Sequence, residues 1–424
     1  MTYRDTLAYL TSLNKMGIRF GLDPIRSLLE RLHNPQNGYP AILVAGTNGK
    51  GSVAAMTAAI LSAAGYRTGL YTSPDLTDFR ERIRIHDRMI SDEEAADCVK
   101  QVKEKVTEDI SYFEFLTAMA FLFFHRQQVD IAVLEIGMGG RLDATNVVIP
   151  LLSVITNISL EHREYLGNTL EKITREKGGI IKEGGICLTA AMQKPVIETL
   201  QILCREKGAT LYRLGKEIRT RIHRDGTFSY HGIEHHYKRL ACPLAGSHQY
   251  SNAALALGSV ELIGPGFKIE ERAIVEGLRK THWEGRLELL QSKPMLLVDG
   301  AHNPAGAATL RQALKNDFSY RRLWLIFGVL EDKDYRAMVK RLFPLAEGVI
   351  LTRPDSDRAL SLDVLLPVAR KFHKNIQAIE RPGDALKQAL SQAGNGDLVC
   401  VAGSLYLVGE IKRIHQAGTG RTVG

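Results

Sequence analysis

The sequence predicts an α/β protein of two domains, each a mostly parallel sheet covered by helices. Three observations carry that expectation. A length of 424 residues exceeds the roughly 150 that one ordinary domain needs. A short apolar strand, a glycine-containing turn and a helical stretch recur along the chain, the alternation expected of parallel strands with helical crossovers. The series then restarts after Trp283-Glu284-Gly285-Arg286, which divides the chain into residues 1–284 and a smaller unit, 285–424.

In chain order, Ala41-Ile42-Leu43-Val44-Ala45 reads as a buried strand and Val53 to Ala64 as a helix of small and apolar residues. Ser91-Asp92-Glu93-Glu94 is a capping box that opens a helix by satisfying free amides at its first turn. Ile131 to Ile136 and Leu152 to Thr156 are further buried strands, and Asp225-Gly226 marks a two-residue hairpin within Arg219 to Tyr230. The second series runs Met295 to Val298, Leu323 to Ile326, Gly348 to Leu351 and Leu398 to Val401. Within it, Asn303-Pro304 reads as an N-cap followed by proline at the first helical position.

Composition narrows the function classes. With 45% apolar and 24% charged residues the chain has an ordinary globular make-up, which excludes disordered and fibrous classes. Its longest apolar run, Phe115 to Phe124, falls short of the roughly 20 residues that span a bilayer. Met1-Thr2-Tyr3-Arg4-Asp5 lacks the basic-then-apolar pattern of a secretory signal. A cytoplasmic chain with no membrane partner is expected. Cys98, Cys187, Cys204, Cys242 and Cys400 are scattered and read as buried thiols. The charge, 55 − 47 = +8, suits either acidic small molecules or a solvated surface. No basic helix with interleaved aromatics points to nucleic acid. His231 with His235-His236 reads as solvated rather than as a metal site, and Gly137-x-Gly139-Gly140 lacks the spacing of a dinucleotide fingerprint.

The chemistry concentrates in Gly46-Thr47-Asn48-Gly49-Lys50-Gly51-Ser52, between a buried strand and a helix. Glycines there let the backbone curl so that amides point inward, and the helix start adds partial positive charge. Lys50 can reach the β- and γ-phosphates of ATP, and the Ser52 hydroxyl can ligate magnesium. The loop is shorter than the general G-x-x-x-x-G-K-[ST] pattern, so its assignment as a P-loop-type phosphate site rests on the strand–loop–helix context. Glu135, at the C-terminal end of a buried strand, stands where α/β ligand sites open and suits a magnesium ligand.

This loop resembles that of the folylpolyglutamate synthase/dihydrofolate synthase family, a branch of the Mur ligase superfamily. Further matches follow in order: Thr72-Ser73-Pro74, Glu81 to Ile85, Glu135 to Asp143, Arg175-Glu176-Lys177, His248-Gln249 with Asn252-Ala253-Ala254, Gly285 to Glu288, Asp299 to Pro304, Asp332-Lys333-Asp334, and Gly403 to Tyr406. The resemblance implies a Mur-ligase-like architecture, with a central-type ATP-binding domain before a Rossmann-like glutamate ligase domain. It also implies a cytoplasmic, monomeric ligase that uses ATP and Mg2+ to join L-glutamate to dihydropteroate or a reduced folate, with the active site in the cleft between domains. Alternatives that stay open are a synthase limited to polyglutamate extension and a Mur-type ligase for another acidic acceptor.

The resemblance also implies roles residue by residue. Thr47, Asn48, Gly49, Lys50, Gly51 and Ser52 bind ATP, joined by Asn252, Arg286, Asp299 and His302. Ser52, Ser73, Glu135 and His162 surround magnesium, and Lys177 stands where relatives carry a carbamylated lysine. Lys50, Glu135, His162 and Lys177 are the catalytic set. Arg82, Phe113 and Thr117 lie on the pterin side, with Ser404 and Tyr406 near the incoming glutamate.

Three departures from the family pattern bear on that set. Asp75 stands where histidine is common, which puts an anion in the substrate loop. Glu161-His162 replaces Asp-His and adds a methylene. Gly178-Gly179 replaces Ala-Gly and is expected to loosen the turn after Lys177.

Overall fold

The computed structural model describes residues 2–13, 17 and 21–418. Their strands are β1 (Ala41–Ala45), β2 (Thr68–Tyr71), β3 (Ile83–Ile85), β4 (Arg88–Met89), β5 (Ile131–Glu135), β6 (Leu152–Ile155), β7 (Ile186–Thr189), β8 (Thr210–Arg213), β9 (Arg219–Ile222), β10 (Thr227–His231) and β11 (His236–Ala241), followed by β12 (Glu288–Ser292), β13 (Met295–Val298), β14 (Leu323–Phe327), β15 (Gly348–Leu351), β16 (Ile376–Ala378) and β17 (Leu398–Ala402). The chain forms two compact units, residues 1–75, 79–243 and 249–282 in the first, and 76–78, 244–248 and 283–424 in the second.

The first unit holds an eight-stranded sheet, β4-β3-β2-β5-β1-β6-β7-β8, and a three-stranded antiparallel sheet, β11-β10-β9. From β2 to β8 the large sheet is parallel; β3 and β4 add an antiparallel edge. All five residues of β1 are buried, because helices cover both faces of a parallel sheet. Burying a Leu or Val side chain there contributes about 1.5–3 kcal/mol. The helix Lys50–Ala63 that follows is built from small residues. A Cβ on Gly277, in helix Glu271–Lys280, would lie 2.5 Å from the Ile60 Cα. Only glycine permits this backbone-to-backbone approach.

The second unit holds a six-stranded sheet, β12-β13-β17-β14-β15-β16, parallel except for the β12–β13 pair. Asn303 caps helix Pro304–Asn316, its Oδ1 accepting from the Gly306 amide at 2.7 Å, with Pro304 at the first helical position. The capping box at Ser91–Glu94 forms as read, and a second, Ser111 with Glu114, opens helix Tyr112–Arg126.

The hairpin is corrected. His223 N–H donates to the Thr227 carbonyl, so the loop is Arg224–Gly226, three residues, with Gly226 at φ +79°. A third residue in the left-handed region is a standard way to close such a turn. Among the described residues no group of three or more His, Cys, Asp or Glu is arranged to hold a metal ion, and no helix is long and apolar enough to cross a membrane.

Candidate active site

The first unit gathers its chemistry where four neighbouring strands end. In the order β2-β5-β1-β6 the strands run parallel, so the residues beyond their C-terminal ends lie along one edge of the sheet. The phosphate loop follows β1. It is fastened to the segment after β6: the Thr47 amide donates to the Asn157 carbonyl at 2.8 Å, the Asn48 amide to Asn157 Oδ1 at 3.0 Å, and Thr156 Oγ1 to the Asn48 carbonyl at 2.7 Å. Ser159 N–H donates to Thr47 Oγ1 at 2.9 Å.

Two glycines make the loop possible. Gly46 has φ +141°, and a Cβ there would lie 1.9 Å from Thr156 Oγ1. Gly49 has φ +85°, and its Cβ would lie 2.6 Å from Asn252 Oδ1, so Asn252 rests against the loop as expected. Gly46→Ala combines strain with a clash and should destabilise the protein by on the order of 2 kcal/mol or more. Urea unfolding checks this; a change under about 0.5 kcal/mol would contradict it. Gly49 is also the N-cap of the fourteen-residue helix Lys50–Ala63 and offers no side chain to the helix start, which leaves that end suited to an anion. Lys50 Nζ donates to the Thr47 carbonyl at 3.2 Å, folded back over the loop, and Ser52 is buried in the first turn.

Lys177 reaches the same loop from helix Leu170–Gly178. Its buried Nζ donates to the Gly46 carbonyl at 2.7 Å and to Glu161 Oε1 at 2.8 Å. Burial pulls the Lys177 ammonium below the ordinary lysine range, with Glu161 opposing. Burial would raise the Glu161 carboxyl, but Lys177 and Lys50 outweigh it and hold the group down to about 2. The Glu161 side chain thus ends in an ion pair with Lys177. His162 follows at φ +44° and opens the short helix Arg163–Leu166. Glu135 pairs across β1 with Val44, two residues before the loop, and its Oε2 accepts the Ser73 amide at 3.1 Å. Glu135, Ser73 and the loop therefore occupy adjacent strand ends.

Gly178 and Gly179 do not loosen the turn. A Cβ at Gly178 would lie 2.5 Å from Leu203 Cδ1, and one at Gly179 would lie 2.4 Å from Arg141 Cβ. Both are packing glycines. Asp75 puts its anion against a partner within the chain: its carboxylate is bound by Arg82, whose side chain is largely buried and whose guanidinium lies 5.3 Å from the Tyr112 ring centroid. The anion is neutralised within the chain, and Arg82 is engaged by it. Phe113 packs its ring against Gly137, just beyond β5, and beside Tyr71. Thr117, expected at the pterin, has no exposed surface; its hydroxyl donates to the Phe113 carbonyl at 2.8 Å and lies 3.2 Å from the Tyr71 hydroxyl. It supports the helix from within.

In the second unit, Arg286, Asp299 and His302 converge on Gly300. A Cβ at Gly300 would lie 2.2 Å from Arg286 Nη1, and His302 Nδ1 is 2.8 Å from the Gly300 carbonyl oxygen. Asp299, expected at the ribose, is buried, and its two oxygens accept the Leu287 and Ala301 amides, each at 2.9 Å. Burial raises its carboxyl, with Arg286 opposing; its shown duty is to hold the turn. Burial, with the Arg286 charge beside it, pushes His248 down to about 4, so that ring is neutral at pH 7. Ser404 is buried at the start of helix Leu405–Gly418, its Oγ accepting the Tyr406 amide at 3.2 Å, whereas Tyr406 is 45% exposed.

Sequence reading missed Asn157 and Lys412, and quoted His248 within a family motif without giving it a role. Asn157 had a signal, lying just past a strand adjacent to the loop strand. Lys412 had none beyond its charge in an apolar helix.

Comparisons with known proteins bear on the family and the fold. Residues 44–260 match the Mur ligase middle domain, and residues 285–405 match the Mur ligase glutamate ligase domain. The chain is 36% identical over 425 residues to the dihydrofolate synthase/folylpolyglutamate synthase of Bacillus subtilis, covering 97% of this chain and 98% of that protein. Escherichia coli FolC in complex with DHPP and ADP superposes with a TM-score of 0.92 at 29% identity, covering 99% of each chain. The bifunctional folylpolyglutamate synthase/dihydrofolate synthase of Yersinia pestis, complexed with AMPPNP and a Mn ion, gives 0.88 at 29% identity, covering 99% of this chain and 98% of that one.

Proposed function

This chain belongs to the Mur ligase family, in its dihydrofolate synthase/folylpolyglutamate synthase branch, and on that footing we propose the following chemistry for its sites. The enzyme is an ATP-dependent ligase that joins L-glutamate to dihydropteroate and to the γ-carboxylate of reduced folates. The observation that carries the reading is the phosphate loop fixed between β1 and β6 beside Glu135 and Lys177.

A free carboxylate is a poor acyl donor, because attack by an amine would have to expel an oxide. The acceptor carboxylate oxygen therefore attacks the ATP γ-phosphorus; ADP leaves, and an acyl phosphate forms. The α-amine of glutamate then attacks the acyl carbon, loses its proton, and expels phosphate as the amide closes. Two anions meet in the first step, so the chain must supply fixed positive potential. Loop amides at the start of helix Lys50–Ala63, together with the Lys50 ammonium, do this from the first unit. The Arg286 guanidinium offers a forked donor to phosphate oxygens.

Ser52, Glu135, Ser73 and His162 are the residues that would hold magnesium. The donor set fits the ion: magnesium prefers few carboxylates, with phosphate oxygens and water completing its shell, and the described residues build no closed cage of three acidic or histidine ligands. When bound, the ion supplies charge neutralisation between transferred and leaving phosphates. A carbamate on Lys177 would set a second carboxylate beside Glu161, an arrangement that calls for a cation between them. A crystal grown with bicarbonate and magnesium nucleotide tests it; clear density for a bare ammonium would count against carbamylation.

Arg286→Ala should weaken magnesium–ATP binding by about tenfold or more, since hydrogen bonds to charged groups contribute about 1.5–3 kcal/mol. Unchanged affinity in calorimetric titration would remove Arg286 from the nucleotide site. The activity itself is tested by magnesium- and ATP-dependent incorporation of labelled glutamate, with 7,8-dihydropteroate and tetrahydrofolate supplied separately. Incorporation into both is expected. Incorporation into tetrahydrofolate alone would narrow the enzyme to polyglutamate extension, and incorporation into neither would indicate another acceptor acid.

A further inference from the structure

Arg286 sits in a turn that the backbone does not adopt cheaply. Gly285 has φ +67° and Leu287, a branched residue, has φ +46°. A non-glycine residue in the left-handed region persists only where its surroundings impose it. Two carboxylates do so here. Asp299 Oδ2 accepts the Leu287 amide at 2.9 Å, and Glu288 Oε2 accepts the Gly285 amide at 2.7 Å. The Gly285 carbonyl in turn accepts from the Gly300 amide and from Arg286 Nη1.

Glu288 is itself held by one side chain. Lys412, on helix Leu405–Gly418, is 3% exposed, and its Nζ donates to both oxygens of Glu288 at 2.8 Å and to Glu284 Oε2 at 2.7 Å. A lysine buried this far is costly unless paired, and it is paired with the two glutamates that flank the Gly285-Arg286-Leu287 turn. We infer that Lys412 is a positioning residue for nucleotide binding: by fixing Glu288 it fixes the turn that aims the Arg286 guanidinium at phosphate. The inference rests on the reading of Arg286 as a nucleotide contact.

Its consequence is a defect that travels through Arg286. Displacing a recognition group by about 1 Å can cost on the order of a hundredfold. Lys412→Met keeps the apolar stem and removes all three donated bonds. It should weaken magnesium–ATP binding by about tenfold or more, while Lys412→Arg, which keeps charge and donors, recovers most of that loss. In an Arg286→Ala background, Lys412→Met should add less than about twofold, because residues acting through one another are not additive. Glu288→Gln keeps an oxygen for the Gly285 amide but loses the paired charge. It supplies the same comparison should Lys412→Met fail to fold.

Titration calorimetry with magnesium and ATP on the wild type and these five variants reads the outcome. Wild-type affinity in both Lys412→Met and Glu288→Gln, or an undiminished loss in the Arg286→Ala background, would overturn the role of Lys412. Unchanged affinity in Arg286→Ala alone would instead overturn the reading on which it rests.

Discussion

Glu135→Gln should abolish magnesium-dependent turnover while leaving a folded protein. The amide is isosteric and keeps an oxygen to accept the Ser73 amide, so stability should change by less than about 1 kcal/mol. What it loses is the negative charge beside the phosphate loop, where Glu135 pairs across from Val44 on β1. Losing the ion's charge neutralisation removes several kcal/mol of transition-state stabilisation. About 4 kcal/mol corresponds to roughly a thousandfold in kcat. Steady-state glutamate incorporation, paired with a thermal unfolding curve, checks both halves. Normal turnover in a normally folded variant would take Glu135 out of the metal site.

Lys177→Met should be the most destabilising single change near the site. Lys177 donates to the Gly46 carbonyl and to Glu161 from a position almost without solvent. Removing it leaves the Glu161 carboxylate buried and without that ammonium, a kind of change that costs about 3–5 kcal/mol. Adding Glu161→Gln should return part of that cost, because the orphaned charge goes with it. Measured in metal-free protein by urea unfolding, equal stabilities for the single and double variants would contradict the ion-pair account.

The same pair gives a pH dependence with a definite sign. Glu161 is held down to about 2 in the folded chain, against about 4.3 for an unfolded glutamate. Its contribution is therefore complete above about pH 4.3 and is lost as pH falls toward 2, roughly 3 kcal/mol in all. Glu161→Gln should flatten the acid limb of the stability curve below pH 5 by about that amount. An unchanged limb would mean that Glu161 is not a source of acid sensitivity.

Much of the parallel sheet was legible because its strands are short apolar runs bounded by turns. Ala41–Ala45 and Gly348–Leu351 match the expected residues to the end. The edges were harder to read: β3 and β4 are three and two residues long, too short for any periodicity. The phosphate loop was legible from local chemistry, since glycines and lysine at a helix start are contiguous in sequence. The duties of Asp299 and Thr117 were not, because they depend on which backbone amide or hydroxyl tertiary packing delivers. The pairing of Asp75 with Arg82 was not legible for the same reason, being visible only once the loop is folded. Lys412 lies 124 residues from Glu288, and no pattern in the chain joins them.

The central claim is that the chain forms an acyl phosphate on its acceptor before glutamate attacks. The most direct test is to run the reaction with the acceptor carboxylate labelled with oxygen-18 and to weigh the released phosphate. The account predicts one labelled oxygen in each inorganic phosphate formed with product. Product formed with unlabelled phosphate would contradict it.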